Sequence, residues 1–147
     1  MSRLLATLLA AAAGCLVGLQ APVNARLARQ VGDLQAASVS FLLGTAVLLV
    51  VTALSSGGLS GIAHAGRAPW WALIGGVFGA FFVTVALLTV HTLGASGLTA
   101  IVVAGQVAIA LVLDRFGLLG LPKQHIATPR VIGLVLLLVG VVLVVRR

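Results

Sequence analysis

Two carboxylates, Asp33 and Asp114, stand against nine Lys and Arg residues, and the chain has no tyrosine, one methionine and one cysteine. Charged residues make up 7% of its 147 residues. Soluble domains carry about a quarter, so the side chains needed to keep a water-facing surface wet are missing. The lone Cys15 excludes an intrachain disulfide. His64, His91 and His125 lie 27 and 34 residues apart, with no local metal-ligand spacing. No Ser, Thr or Cys pairs with a base in a recognisable pattern. The expectation is a protein that is not an enzyme and uses neither metal nor cofactor.

What is present in excess is apolar: 61% of the residues, with a mean hydropathy of +1.27. The net charge of +7 does not point to nucleic acid, because the basic residues are spread between apolar runs instead of gathered on one face. They read as anchors at lipid headgroups. A helix needs about 20 residues to cross about 30 Å of hydrocarbon. The uncharged stretches predict five membrane-spanning helices, at approximately 4–25, 36–54, 69–90, 95–113 and 129–146, forming one all-α integral membrane domain over 1–147. Ser55-Ser56-Gly57-Gly58 breaks the second from the third. Pro69 suits a first helical turn, and Trp70 and Trp71 suit the headgroup level. His91-Thr92-Leu93-Gly94 reads as a tight turn between the third and fourth. Thr128 is the expected N-cap of the fifth, with Pro129 in its first turn and Arg130, Arg146 and Arg147 snorkelling at its ends. Ala12-Ala13-Gly14-Cys15 mimics a lipoprotein signal. The apolar run continues past Cys15, however, so a span is expected there and not a cleaved leader.

Polar residues within these runs are the candidate binding groups. Gln20 and Asn24 are four apart and share a helix face, with Pro22 between them predicted to break the helix and free the Gly18 carbonyl. Gln106 is a second deep amide, with Thr99 seven residues earlier on about the same face, and Ser40 and Thr45 add hydroxyls from the second span. The alternative for the amides is that they tie helices together. Stripes of small residues permit close helix packing: Gly14 with Gly18, Gly75 with Gly79, and Gly97, Ala100 and Ala104. Asp33 is expected in a loop or interfacial turn, and Asp114 beside its neighbour Arg115 at the end of the fourth span. No ionisable residue lies near a span centre, where proton relays are found.

Five crossings place Arg3, Arg67, Arg115, Lys123 and Arg130 on one side, and Arg26, Arg29, Arg146 and Arg147 on the other. Orientation follows the Lys/Arg bias between short loops, and here there is almost none. The expectation is dual topology, with copies inserted both ways and paired as an inverted homodimer. A fixed orientation, set by loop detail or by a partner of opposite bias, is the alternative. An inverted pair would complete the inverted-repeat plan of many transporters, whose site lies at the midplane between repeats.

Gly18, Gln20 and Asn24 are followed in order by Ser40-Phe41 with Gly44, Pro69-Trp70-Trp71 with Gly75-Gly76 and Gly79, Leu93-Gly94-Ala95, Gly105-Gln106, Asp114-Arg115-Phe116-Gly117, and Arg130 with Gly133 and Gly140. In this combination the chain resembles the small five-helix YdcZ-like branch of the drug/metabolite transporter superfamily over nearly its whole length. The resemblance implies a multi-pass protein of the bacterial inner membrane. It further implies an EmrE-like half-transporter fold that forms an antiparallel dimer. The four-helix multidrug exporters of that superfamily use a glutamate in the first helix, where this chain offers Gln20. His91 occupies a turn where the branch favours proline.

The expected function is a small-solute transporter or facilitator, acting as an antiparallel homodimer in the lipid bilayer, with Gln20, Asn24, Gln106, Ser40 and Thr99 at the solute site. A small inverted-dimer channel and a non-transporting subunit of a heteromeric complex are the rivals. The balanced charge ledger makes a direct prediction. C-terminal reporters active on either side of the membrane should both give signal from one gene, and two or three added Arg in one set of loops should leave only one signal. A native chain that reports a single side would remove the basis for the inverted homodimer.

Overall fold

The computed structural model describes residues 1–146, and all their regular structure is helical. Arg147, expected as an anchor, lies outside the described residues. Among the described residues, four helical stretches are long and apolar enough to cross a membrane: Arg3–Val31, Asp33–Leu54, Trp70–Phe116 and Thr128–Val145. By Cα packing the chain divides into two compact units, Met1–Val90 and His91–Arg147.

In the first unit, α1 (Arg3–Val31) starts at Ser2, whose hydroxyl accepts from the Leu5 amide at 3.2 Å. That bond satisfies one of the orphan donors of the first turn. The helix has 29 residues, hence about 44 Å of length, more than a bilayer core requires. It therefore runs past the expected end at residue 25 and carries Arg26 and Arg29 in its last turns, where cations favour the dipole. Pro22 does not break it, contrary to the sequence expectation. Proline removes one backbone bond, the one to the Gly18 carbonyl, whereas ending a helix in an apolar setting strands several donors and acceptors. Continuity is the smaller cost.

Gly32 alone separates α1 from α2 (Asp33–Leu54), with φ 94° and ψ 157°. Its amide closes on the Ala28 carbonyl at 2.8 Å and its carbonyl accepts from Ala36 at 2.9 Å, so one residue ends one helix and begins the next. Asp33 is accordingly the first residue of α2 and not part of a loop, placed where a carboxylate favours the helix N-terminus. Ala25 and Ala28 of α1 and Ala36 and Ala37 of α2 are buried, small side chains that let the two helices approach closely. A short helix, α3 (Ser60–Ala63), and a 3₁₀ turn over Ala65–Arg67 fill the polar connection. Pro69 then leads into a second 3₁₀ turn, Trp70–Leu73, which holds Trp70 and Trp71 exposed. The Trp pair thus precedes the α-helix instead of opening it.

The next helix, α4 (Gly75–Phe116), is interrupted at Gly94, with φ 71° and ψ 164°. The expected four-residue turn contracts to that single glycine, and His91 sits in helix. Val83, Ala86, Leu87 and Val90 supply the rest of the buried core of the first unit, Leu87 being fully buried.

In the second unit Gly97, Leu98 and Ala104 are buried. A methyl group at Gly97 would meet Val145 of α5 (Thr128–Val145) at 3.7 Å, so this part of the small-residue stripe packs within the chain. At Gly14, Gly18 or Gly75 the same methyl would touch nothing within 4 Å. The cap of α5 is Ala127, without a side-chain bond; Thr128 is already helical, and Pro129 falls in the first turn as expected. Asp114 pairs with Arg130 of α5 at 3.4 Å, a partner sixteen residues away and not the adjacent Arg115. The same Arg130 Nη1 donates to Gln124 Oε1 at 3.0 Å, and the Gln124 amide donates to the Asp114 carbonyl at 2.8 Å. Helix end, connecting loop and α5 are joined there.

Gly32 and Gly94 both occupy a backbone region open essentially to glycine, where another residue costs of order 1–3 kcal/mol. Gly32→Ala and Gly94→Ala should each lower unfolding stability in detergent by about that amount. Gly57→Ala, at a site with no positive φ and nothing within 4 Å, should change it little. Equal melting behaviour of all three variants would contradict this account of the interhelical turns.

Candidate functional site

The polar residues of α1 and α2 come together. Gln20 and Asn24, one helical turn apart, project on the side of α1 that also presents Val17 and Ala21. Asn24 is buried at 8% exposure and its Nδ2 donates to Ser40 Oγ of α2 at 3.2 Å. Gln20, half-buried, makes no hydrogen bond among the described residues. It lines two cavities. One, about 10 Å³, is closed by Phe82, Val83, Ala86 and Leu87 and is at most the size of a single water. The other, about 190 Å³, is an open recess lined by Gln20, Ser40, Phe41, Gly44, Thr45 and Leu48, of which Phe41, Gly44, Thr45 and Leu48 are exposed.

Local sequence explains these walls. Gly44 leaves an open stretch of α2 between Ser40 and Leu48. Gly79 accepts the Phe41 ring, which a Cβ there would meet at 3.4 Å, so part of the small-residue stripe sets the position of an aromatic wall. Most hydroxyls in the first unit's helices are spent on their own backbone: Ser38 donates to Leu34, Thr84 to Ala80 and Thr89 to Val85. Such bonding to the preceding turn is the usual fate of a hydroxyl in an apolar helix. Ser40 and Thr45 make no such bond, and their O–H groups remain available to the cavity.

Thr99 and Gln106 belong to the second unit, where both are exposed, and neither side chain has a hydrogen bond among the described residues. An exposed amide half-way along an apolar helix is costly in lipid, about 2–7 kcal/mol without a partner. Arg130, read from sequence as an interface anchor, is also the centre of the Asp114–Gln124 cluster. That cluster and the wall made by Phe82, Val83 and Ala86 were not singled out from sequence, whereas Phe41 had entered only as part of a family motif. The spacing of Phe82, Val83, Ala86 and Leu87 at three- and four-residue steps was their only signal, one that any packed helix shares.

Residues 5–143 match the family model described as "Putative inner membrane exporter, YdcZ". The chain belongs to the YdcZ family. This is the branch of the drug/metabolite transporter superfamily that the ordered motifs resemble, and it makes the chain a multi-pass protein of the bacterial inner membrane. Among curated proteins, the inner membrane protein YdcZ of Escherichia coli (strain K12) is 40% identical over 78 residues. That alignment covers 53% of this chain and 52% of the relative, so the chain spans about half the length of the curated relative it matches. No solved structure matches the chain.

The contact between Asn24 and Ser40 can be weighed directly. Interhelical hydrogen bonds in membranes average about 0.6 kcal/mol in double-mutant cycles and reach about 1.7 kcal/mol. A cycle of Asn24→Leu and Ser40→Ala, read by unfolding in mixed micelles, should give a coupling within that range. A coupling of zero would mean that the two side chains are not partners.

Proposed function

We propose that this chain is a small-solute transporter or facilitator of the inner membrane, working as an antiparallel homodimer of copies inserted both ways, with the solute site between the two halves. The observation that carries the reading is the convergence of Gln20, Ser40 and Thr45 on a cavity with unsatisfied hydrogen-bonding capacity, with Asn24 holding Ser40 from α1. Its lining offers one amide, two hydroxyls and apolar walls and no nucleophile–base pair, which fits passage of a solute and not its chemical conversion.

Three features support the dimeric part. The 47 residues of Trp70–Phe116 would make about 70 Å of helix, over twice a bilayer core, so Gly94 is read as the turn between two crossings and the count becomes five. Five crossings divide the basic residues almost evenly, which favours insertion in both orientations. The exposed Gln106 amide and the open stripe at Gly14 and Gly18 are surfaces that a second copy would satisfy.

No titratable residue lines either Gln20 cavity. Flux is therefore driven by the solute's own gradient or by exchange, without obligatory proton coupling. Reconstituted protein should give saturable, exchange-accelerated counterflow with a panel of labelled small solutes. An imposed pH gradient without a solute gradient should produce no accumulation. Uphill accumulation that collapses with an ionophore, and is lost in Asp114→Asn or His91→Ala, would overturn gradient-driven transport and identify the coupling residue.

A further inference from the structure

The geometry points to an uncharged solute that both donates and accepts hydrogen bonds, of about six to eight non-hydrogen atoms, held by Gln20, Ser40 and Thr45 in the larger cavity. This rests on the transport reading above and narrows it to a substrate class.

The hydrogen-bond inventory sets the chemistry. Gln20 brings a carbonyl acceptor and two N–H donors, all without partners among the described residues. Ser40 accepts from Asn24 and keeps its own O–H, so it faces the cavity as a donor. The Thr45 hydroxyl, unlike those of Thr84 and Thr89, is not returned to its own helix. A solute matching this set must carry at least one carbonyl-like or hydroxyl acceptor and at least one donor for the Gln20 carbonyl. Phe41 and Leu48 add an apolar wall, so part of the solute is hydrocarbon.

Charge is excluded by cost. None of the residues lining the two Gln20 cavities is ionisable. The nearest cation along α1, Arg26, is six residues beyond Gln20, and Asp33 is seven before Ser40, about 9 and 10.5 Å along their helices. An ion moved from water into such a site loses its hydration without gaining a counter-ion, a penalty of several kcal/mol. An amide or polyol loses only hydrogen bonds that the lining replaces. Size follows from volume: an apolar cavity of about 150 Å³ holds a benzene molecule. The 190 Å³ recess, open on one side, accommodates a molecule of at least that size.

The test compares small probes that differ in charge: lactamide and glycerol as neutral solutes, the near-isosteric lactate as an anion and the smaller guanidinium as a cation, which size alone would admit. Each is measured by stopped-flow or labelled flux into proteoliposomes against protein-free vesicles. The expected result is protein-dependent flux of lactamide and glycerol, with lactate and guanidinium at background. Gln20→Leu should cut the neutral flux at least tenfold, and Thr45→Val should cut it two- to fivefold. Gln20 makes no hydrogen bond within the described residues, so the leucine variant removes none, and its elution as the same oligomer checks the fold. Lactate or guanidinium flux equal to or above that of lactamide would overturn the neutral class while leaving transport intact. Neutral flux unchanged in Gln20→Leu would overturn the assignment of the site. Failure of every probe, whatever its charge, would overturn the transport reading and the substrate class with it.

Discussion

In hydrocarbon no water is available to a stranded N–H or C=O, so every backbone group must find its partner inside the chain. The architecture follows from that constraint. Helices run on through Pro22, and past the point where their apolar stretch ends. The break between α1 and α2 is a single glycine whose own amide and carbonyl are both bonded to the flanking helices. The interruption of α4 is likewise one residue, Gly94. A chain of this composition cannot use long irregular connections within the bilayer, and it turns where glycine permits an otherwise forbidden backbone angle.

The same constraint makes side-chain polarity informative. Hydroxyls at Ser38, Thr84 and Thr89 are returned to the helix that carries them, which makes them silent toward a solute. Those at Ser40 and Thr45 are not, and they sit on the cavity that Gln20 also lines. The division between structural and available polar groups is thus made by which carbonyl each side chain reaches. Asn24 mediates between the two roles: buried, it ties α1 to α2, and in doing so it orients Ser40. Tying helices and lining a cavity, posed as alternatives for these amides, are both served by one hydrogen-bonded pair. In the second unit, Arg130, expected from sequence as an anchor, holds an ion pair whose partners are 46% and 30% exposed. Such an exposed pair contributes little stability on its own account, and its effect is to fix where α5 begins.

Membrane residence, helix content and approximate helix positions were legible in the sequence because hydropathy is a one-dimensional property: an uncharged run of about 20 residues has few alternatives to crossing. That Gln20 and Asn24 share a helix face was legible too, from the four-residue helical repeat. Tertiary structure decided which distant residues meet. Asp114 chose Arg130 over the adjacent Arg115, because neighbours along a helix point to different sides while a facing helix can present its guanidinium directly. Proline looked like a break when judged by local preference, and the cost of unsatisfied backbone kept the helix whole. Whether Ser40 would serve its own backbone or the cavity could not be read from its letter, since both hydrogen bonds are open to a serine in a helix. Only the approach of Asn24 across the α1–α2 contact selected between them.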